Sequence, residues 1–96
     1  SYQAIIRAEA TNAGVAMQFL SELAKRTTNS ASVMVLGPVP SNMEKRAGKH
    51  RAQLLFSGKD RRTLQSCLSE TIGIAEQSST VRKVRWSVDV DPVDLF

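Results

Sequence analysis

Polar and apolar positions change places along this chain with a rhythm that shifts from segment to segment. Tyr2, Ala4, Ile6 and Ala8 alternate with Gln3, Ile5, Arg7 and Glu9, which is the period-two spacing of a strand. From Asn12 the spacing turns helical. Ala16, Phe19, Leu20 and Leu23 fall on one face and Gln18, Glu22 and Lys25 on the other, with Thr11 or Asn12 available to cap the start. "TTNSAS" reads as a loop and "SVMVLG" as a short second strand. Pro38 and Pro40 bar that strand from continuing as a central one, because neither has an N–H to give to a ladder. Gly37-Pro38-Val39-Pro40 is therefore predicted to end it as a stiff corner. Glu44 to Arg51 then forms the tip of a long hairpin, with Gly48 supplying a positive φ.

Beyond the hairpin, Ala52, Leu54 and Phe56 point one way and Arg51, Gln53 and Leu55 the other, so the third strand carries its charge outward. Ser57-Gly58-Lys59-Asp60 supplies a turn and a cap for a second helix, whose apolar stripe is Leu64, Cys67, Leu68, Thr71, Ile72 and Ala75. Val84, Trp86, Val88 and Val90 alternate with Lys83, Arg85, Ser87 and Asp89 in a last strand that Pro92 stops. The order β-α-β-β-α-β, with one apolar face per element, predicts an α+β two-layer sandwich of the ferredoxin-like kind whose outer sheet face stays open. Residues 1–96 are expected to form a single domain, since a chain of this length leaves no room for a second core.

The composition, 42% hydrophobic and 23% charged, suits an ordinary folded chain. Its apolar runs are far too short to span a membrane, and "SYQAIIRAEA" has no basic leader or cleavage site, which predicts a cytoplasmic address. Starting at Ser1, one residue before a strand, the chain reads as a fragment of something longer. A single cysteine and a single histidine exclude an internal disulfide and a four-ligand zinc site, so no cofactor is expected within this chain.

Charge changes the picture more. The net charge is +4, yet residues 45–62 hold seven Lys and Arg against one acid, Asp60, a local +6 that leaves −2 elsewhere. Such a stripe favours a polyanionic partner over a merely solvated hairpin. Lys45, Arg46, Lys49, His50 and Arg51 can straddle a phosphate backbone, and Arg7, Lys83 and Arg85 would extend that surface across the outer face. Trp86 and Phe56 point inward by alternation, so phosphate and shape contacts are expected in place of base stacking on the sheet.

Other chemistry is thin. His50 has no carboxylate or nucleophile near it in sequence, and Cys67 falls on an apolar stripe as a small core residue. Asp89, Asp91 and Asp94 read as charge-pairing partners or a solvated end and not as a cation site. No stretch fits the phosphate cradle G-x-x-x-x-G-K-S/T. No enzyme site can be assembled.

"VLGPVP", "KRAGKHRAQLLF" and "RKVRWSVDVDP", in that order, closely resemble the last domain of the primosomal protein N-prime (PriA) family of bacterial replication-restart DNA helicases. The resemblance runs from "YQAIIRAE" to "DVDP". It implies a domain similar to a small-subunit ribosomal protein, at the end of a nucleoid-associated helicase whose ATP, Mg and zinc sites lie upstream. It further implies binding of single-stranded and forked DNA, contact with the upstream helicase domains, and association with other primosome proteins. In some members the residues matching Lys49 and Gln53 border a pocket for the acidic tail of single-stranded DNA-binding protein. This chain has His50 and Ala52 where some relatives carry aromatics, and Lys49 where others carry an arginine, which loses a bidentate fork. An RNA-binding ribosome-like domain and a pure docking domain for acidic tails remain alternatives.

Overall fold

The computed structural model describes residues 1–27 and 32–91, with backbone alone for 42–46. Alternation becomes strand and helical spacing becomes helix, giving β1 (Tyr2–Ala10), α1 (Val15–Arg26), β2 (Val33–Arg46), β3 (Lys49–Gly58), α2 (Arg61–Gln77) and β4 (Arg85–Val90). The sheet order is β2-β3-β1-β4, and every neighbouring pair is antiparallel. β3 is thus inserted between β1 and β2, and β1 between β3 and β4. Two interleaved β-α-β units of this kind define the ferredoxin-like sandwich that the pattern predicts.

Both helices cover one sheet face. Ala4, Ile6, Ala8 and Ala10 of β1 and Ala52, Leu54 and Phe56 of β3 meet Phe19, Leu20 and Leu23 of α1 and Leu64, Cys67, Leu68 and Ala75 of α2. Trp86 joins from β4, its ring 6.2 Å from that of Phe19 between centroids, as its alternation requires. The one polar member of the α2 stripe is satisfied locally: Thr71 Oγ1 donates to the Cys67 carbonyl at 2.8 Å and lies 3.0 Å from the buried Thr27 hydroxyl. Ile72 is only half-buried, because it lies roughly 100° further round the helix than Thr71, at the margin of the stripe.

Several expectations are corrected. β2 does not end at the prolines but runs through them to Arg46, with shifts of register between Leu36 and Val39 and between Pro40 and Lys45. β2 is an edge strand bonded only to β3, so prolines and irregular pairing are tolerated there. Gly37 has φ +109, its peptide bond to Pro38 is cis, and a Cβ on it would stand 3.2 Å from the Val39 nitrogen and 3.3 Å from the Gln53 carbonyl oxygen. The hairpin tip shrinks to Ala47-Gly48, between the paired residues Arg46 and Lys49. Both have positive φ, 54 and 79, as a tight two-residue hairpin turn demands. α1 starts at Val15 after Gly14 at φ 84, with no side-chain cap, so neither Thr11 nor Asn12 caps it. Lys83 belongs to a 3-10 turn, Val81–Lys83, that precedes β4. Asp60 does cap α2, accepting the Thr63 N–H at 2.8 Å. Pro92 and Asp94 lie outside the described residues. Among the described residues no helix is long and apolar enough to cross a membrane.

Candidate nucleic-acid interface

Register brings together what the sequence keeps apart. On the open face Glu9 stands level with Arg51 of β3 on one side and with Arg85 of β4 on the other. Lys49, two residues before Arg51 and on the same face, places its Nζ 3.8 Å from Glu9 Oε2. These four side chains and Ala47 line a cleft of about 320 Å³ at the hairpin end of the sheet. A smaller hollow of about 140 Å³, bordered by Arg7, Glu9, Arg51, Arg85 and Ser87, adjoins it. Three cations against one half-exposed carboxylate leave the cleft positive, and a pair so open to water contributes little to folding.

The other basic residues take different positions. Arg7 is on the same face, but its guanidinium is engaged by Asp89 at 3.1 Å, the charge-pairing role expected of that aspartate. His50 is opposite the buried Ala10 and so points to the helix side, away from Lys49 and Arg51. Lys45 and Arg46 pair with His50 and Lys49 across the ladder, and their side chains lie outside the described residues. Lys83 sits in the 3-10 turn, off the ladder that carries Arg85. Cys67 is buried, and that burial, with Glu70 nearby, pushes its thiol upward, which suits a core residue and not a nucleophile. Among the described residues no group of three or more His, Cys, Asp or Glu could hold a metal ion.

Gln53 shares the face of Lys49 but not its cleft. It is 2% exposed, and with Leu36, Gly37, Val39 and Leu55 it lines an apolar pit of about 100 Å³. Four residues of strand separate the two side chains, roughly 13 Å, with Arg51 between them. Sequence reasoning missed this pit and the exposed Met34, Leu36 and Val39 near it, because the uniformly apolar "SVMVLG" shows no alternation from which to tell its faces and Val39 falls in the predicted corner beyond it. It also missed the central place of Glu9. The alternation of β1 turns Glu9 outward, but only strand order sets two arginines beside it.

Over residues 1–93 the chain matches the family described as the primosomal protein N C-terminal domain. It belongs to that family. A relative named replication restart protein PriA, from Haemophilus influenzae, is 37% identical over 98 residues, covering 99% of this chain. The chain spans 13% of that relative's length. Among solved structures, the de novo designed protein Foldit4 superposes with a TM-score of 0.66 at 16% identity, over 97% of this chain and 98% of its own. A dimeric ferredoxin-like protein from an uncultured marine organism gives 0.53 at 15% identity, over 100% and 98%. At such identities the two structures speak for the fold alone.

Proposed function

We propose that this domain binds single-stranded and forked DNA as the non-catalytic end of a bacterial replication-restart helicase, in the cytoplasm at the nucleoid. The observation that carries the reading is the cleft in which Lys49, Arg51 and Arg85 surround one carboxylate on an uncovered sheet face. Lysine and arginine at the mouth of a hairpin suit phosphates, and phosphate contacts position a strand without reading its bases. ATP, Mg and zinc belong, on this reading, to the remainder of the parent polypeptide, as do the contacts with other primosome proteins.

The experiment is a salt titration of labelled single-stranded and forked DNA followed by anisotropy. Removing Arg51 and Arg85 together should flatten the log-log salt slope by about 1.4, at about 0.7 per phosphate released from a single strand. Lys25→Ala with Arg26→Ala, on α1, should change it little. An unchanged slope in the cleft variant would sink the reading, and tighter binding of duplex RNA would transfer it to a ribosome-like role.

A second reading has its own support. The apolar pit at Gln53 lies on the same face as Lys49 and Arg51, a pairing that suits an acidic peptide with an apolar end, such as the tail of single-stranded DNA-binding protein. Lys49→Glu and Leu36→Asp should each abolish binding of such a peptide in a calorimetric titration. Binding that survives both would remove this reading.

A further inference from the structure

We propose that the domain has a second nucleic-acid contact at the opposite end of β3, built on Tyr2 and Arg61 and flanked by Lys59 and Arg62. The inference rests on the DNA reading of the hairpin cleft and adds to it a place for an unpaired base. Among the described residues Tyr2 is the ring open to solvent, at 37% exposure, whereas Phe19 and Phe56 are fully buried and Trp86 is packed against the core. The Arg61 guanidinium carbon stands 5.2 Å from the centroid of the Tyr2 ring. Tyr2 pairs with Gly58 in the ladder, and the chain leaves that strand end through Lys59 and Asp60 into Arg61 and Arg62. All four of those residues are exposed. The carboxylate among them is committed to the cap, accepting the Thr63 N–H at 2.8 Å and the Thr63 hydroxyl at 2.8 Å. Lys59, Arg61 and Arg62 therefore face solvent as an excess of positive charge next to an exposed aromatic ring.

That combination is what the hairpin cleft lacks. An aromatic ring with an arginine over it offers a base a stacking partner, and neighbouring cations hold the phosphates on either side of it. Seven residues of β3 separate Arg51 from Gly58, about 23 Å along the strand, and Tyr2, in step with Ala4 and Ile6, stands on the helix side of the sheet, so a path between the two contacts also turns around the sheet. A strand joining them must carry more than the roughly seven phosphates that duplex spacing fits into the along-strand distance, and the more flexible single strand suits a path that turns around the sheet. Sequence-tolerant affinity for a single strand would then come from phosphates at the cleft and from phosphates plus stacking at the Tyr2 end.

The test uses backbone and tyrosine-ring NMR signals of the 96-residue chain during titration with an unstructured single-stranded oligonucleotide long enough to span both contacts. Shifts should appear in two clusters, one at Gly48 to Arg51 and Arg85, the other at Tyr2 and Lys59 to Arg62. Arg61→Gln with Arg62→Gln should flatten the salt slope by about 1.4. Tyr2→Leu should weaken binding roughly tenfold, a single stacked base's worth, while Tyr2→Phe keeps the ring and the affinity. Shifts confined to the hairpin cluster, with slopes unmoved by the Arg61 and Arg62 changes, would overturn the second contact and leave the cleft in place. Shifts in neither cluster would instead remove the DNA reading, and this inference with it. If Tyr2→Leu lowers the melting temperature, the Arg61 and Arg62 variants, on exposed side chains, decide the matter.

Discussion

Lys49 Nζ lies 3.8 Å from a carboxylate oxygen of Glu9, so the positive cleft already holds an anion of its own. A phosphate entering between Arg51 and Arg85 meets that carboxylate first.

Glu9→Gln should therefore strengthen DNA binding. The change removes a like charge facing the phosphates and frees Lys49 to engage one, at about 0.7 of salt slope per phosphate gained. Anisotropy at fixed salt should show affinity rising several-fold and the slope steepening. Unchanged affinity would mean that the strand never reaches the Arg51–Glu9–Arg85 row.

Trp86 should act as core. Its ring packs against Phe19 on the helix side, and Trp86→Ala should cost about 2–4 kcal/mol of stability, somewhat below the full-burial range because the ring is only partly covered. Urea unfolding measures this. A loss below about 0.5 kcal/mol, the size typical of exposed sites, would place the ring outside the core.

The hairpin tip should be improvable. Ala47 holds φ 54, a left-handed conformation that a Cβ disfavours, and Asn-Gly is the preferred pair for such a turn. Ala47→Asn should stabilise the domain by up to about 1 kcal/mol, a part of the roughly 1–2 kcal/mol that the left-handed conformation costs a residue with a Cβ. Thermal unfolding measures this, and a melting temperature that stays level or falls would show that the Cβ at this position costs the turn nothing.

The α2 cap should leave an acid-side signature. The Thr63 backbone and hydroxyl hydrogen bonds hold the Asp60 carboxyl below its ordinary value of 3.8. A depressed carboxylate contributes stability that is present above pH 3.8 and lost as pH falls through the lower folded value. Asp60→Ala should lower the melting temperature at neutral pH and make its decline below pH 3.8 shallower than in the parent. Curves that stay parallel throughout would show that Thr63 does not hold that carboxylate in solution.

Alternation was enough to read the element order and the inward side of the first, third and fourth strands from the chain alone. A strand's faces repeat every second residue and a helix's every three to four, so Ile6, Leu54, Phe56 and Trp86 could be turned toward the core without any partner in view. The same rule turned Glu9, Arg51, Gln53 and Arg85 outward, and composition alone marked the hairpin as basic. What the sequence left open was lateral. Which strand lies beside which is a matter of packing the whole sheet against both helices, and no local pattern encodes it. Only that packing made β2 an edge, where prolines that would break a central strand are carried within a longer one. Only it set Glu9 level with Arg51 and Arg85, residues 42 and 76 positions away in the chain, and separated Gln53 from Lys49 into a different hollow. Direction is a local property of the backbone, whereas neighbourhood is decided by the tertiary structure, and a binding surface is made of neighbours.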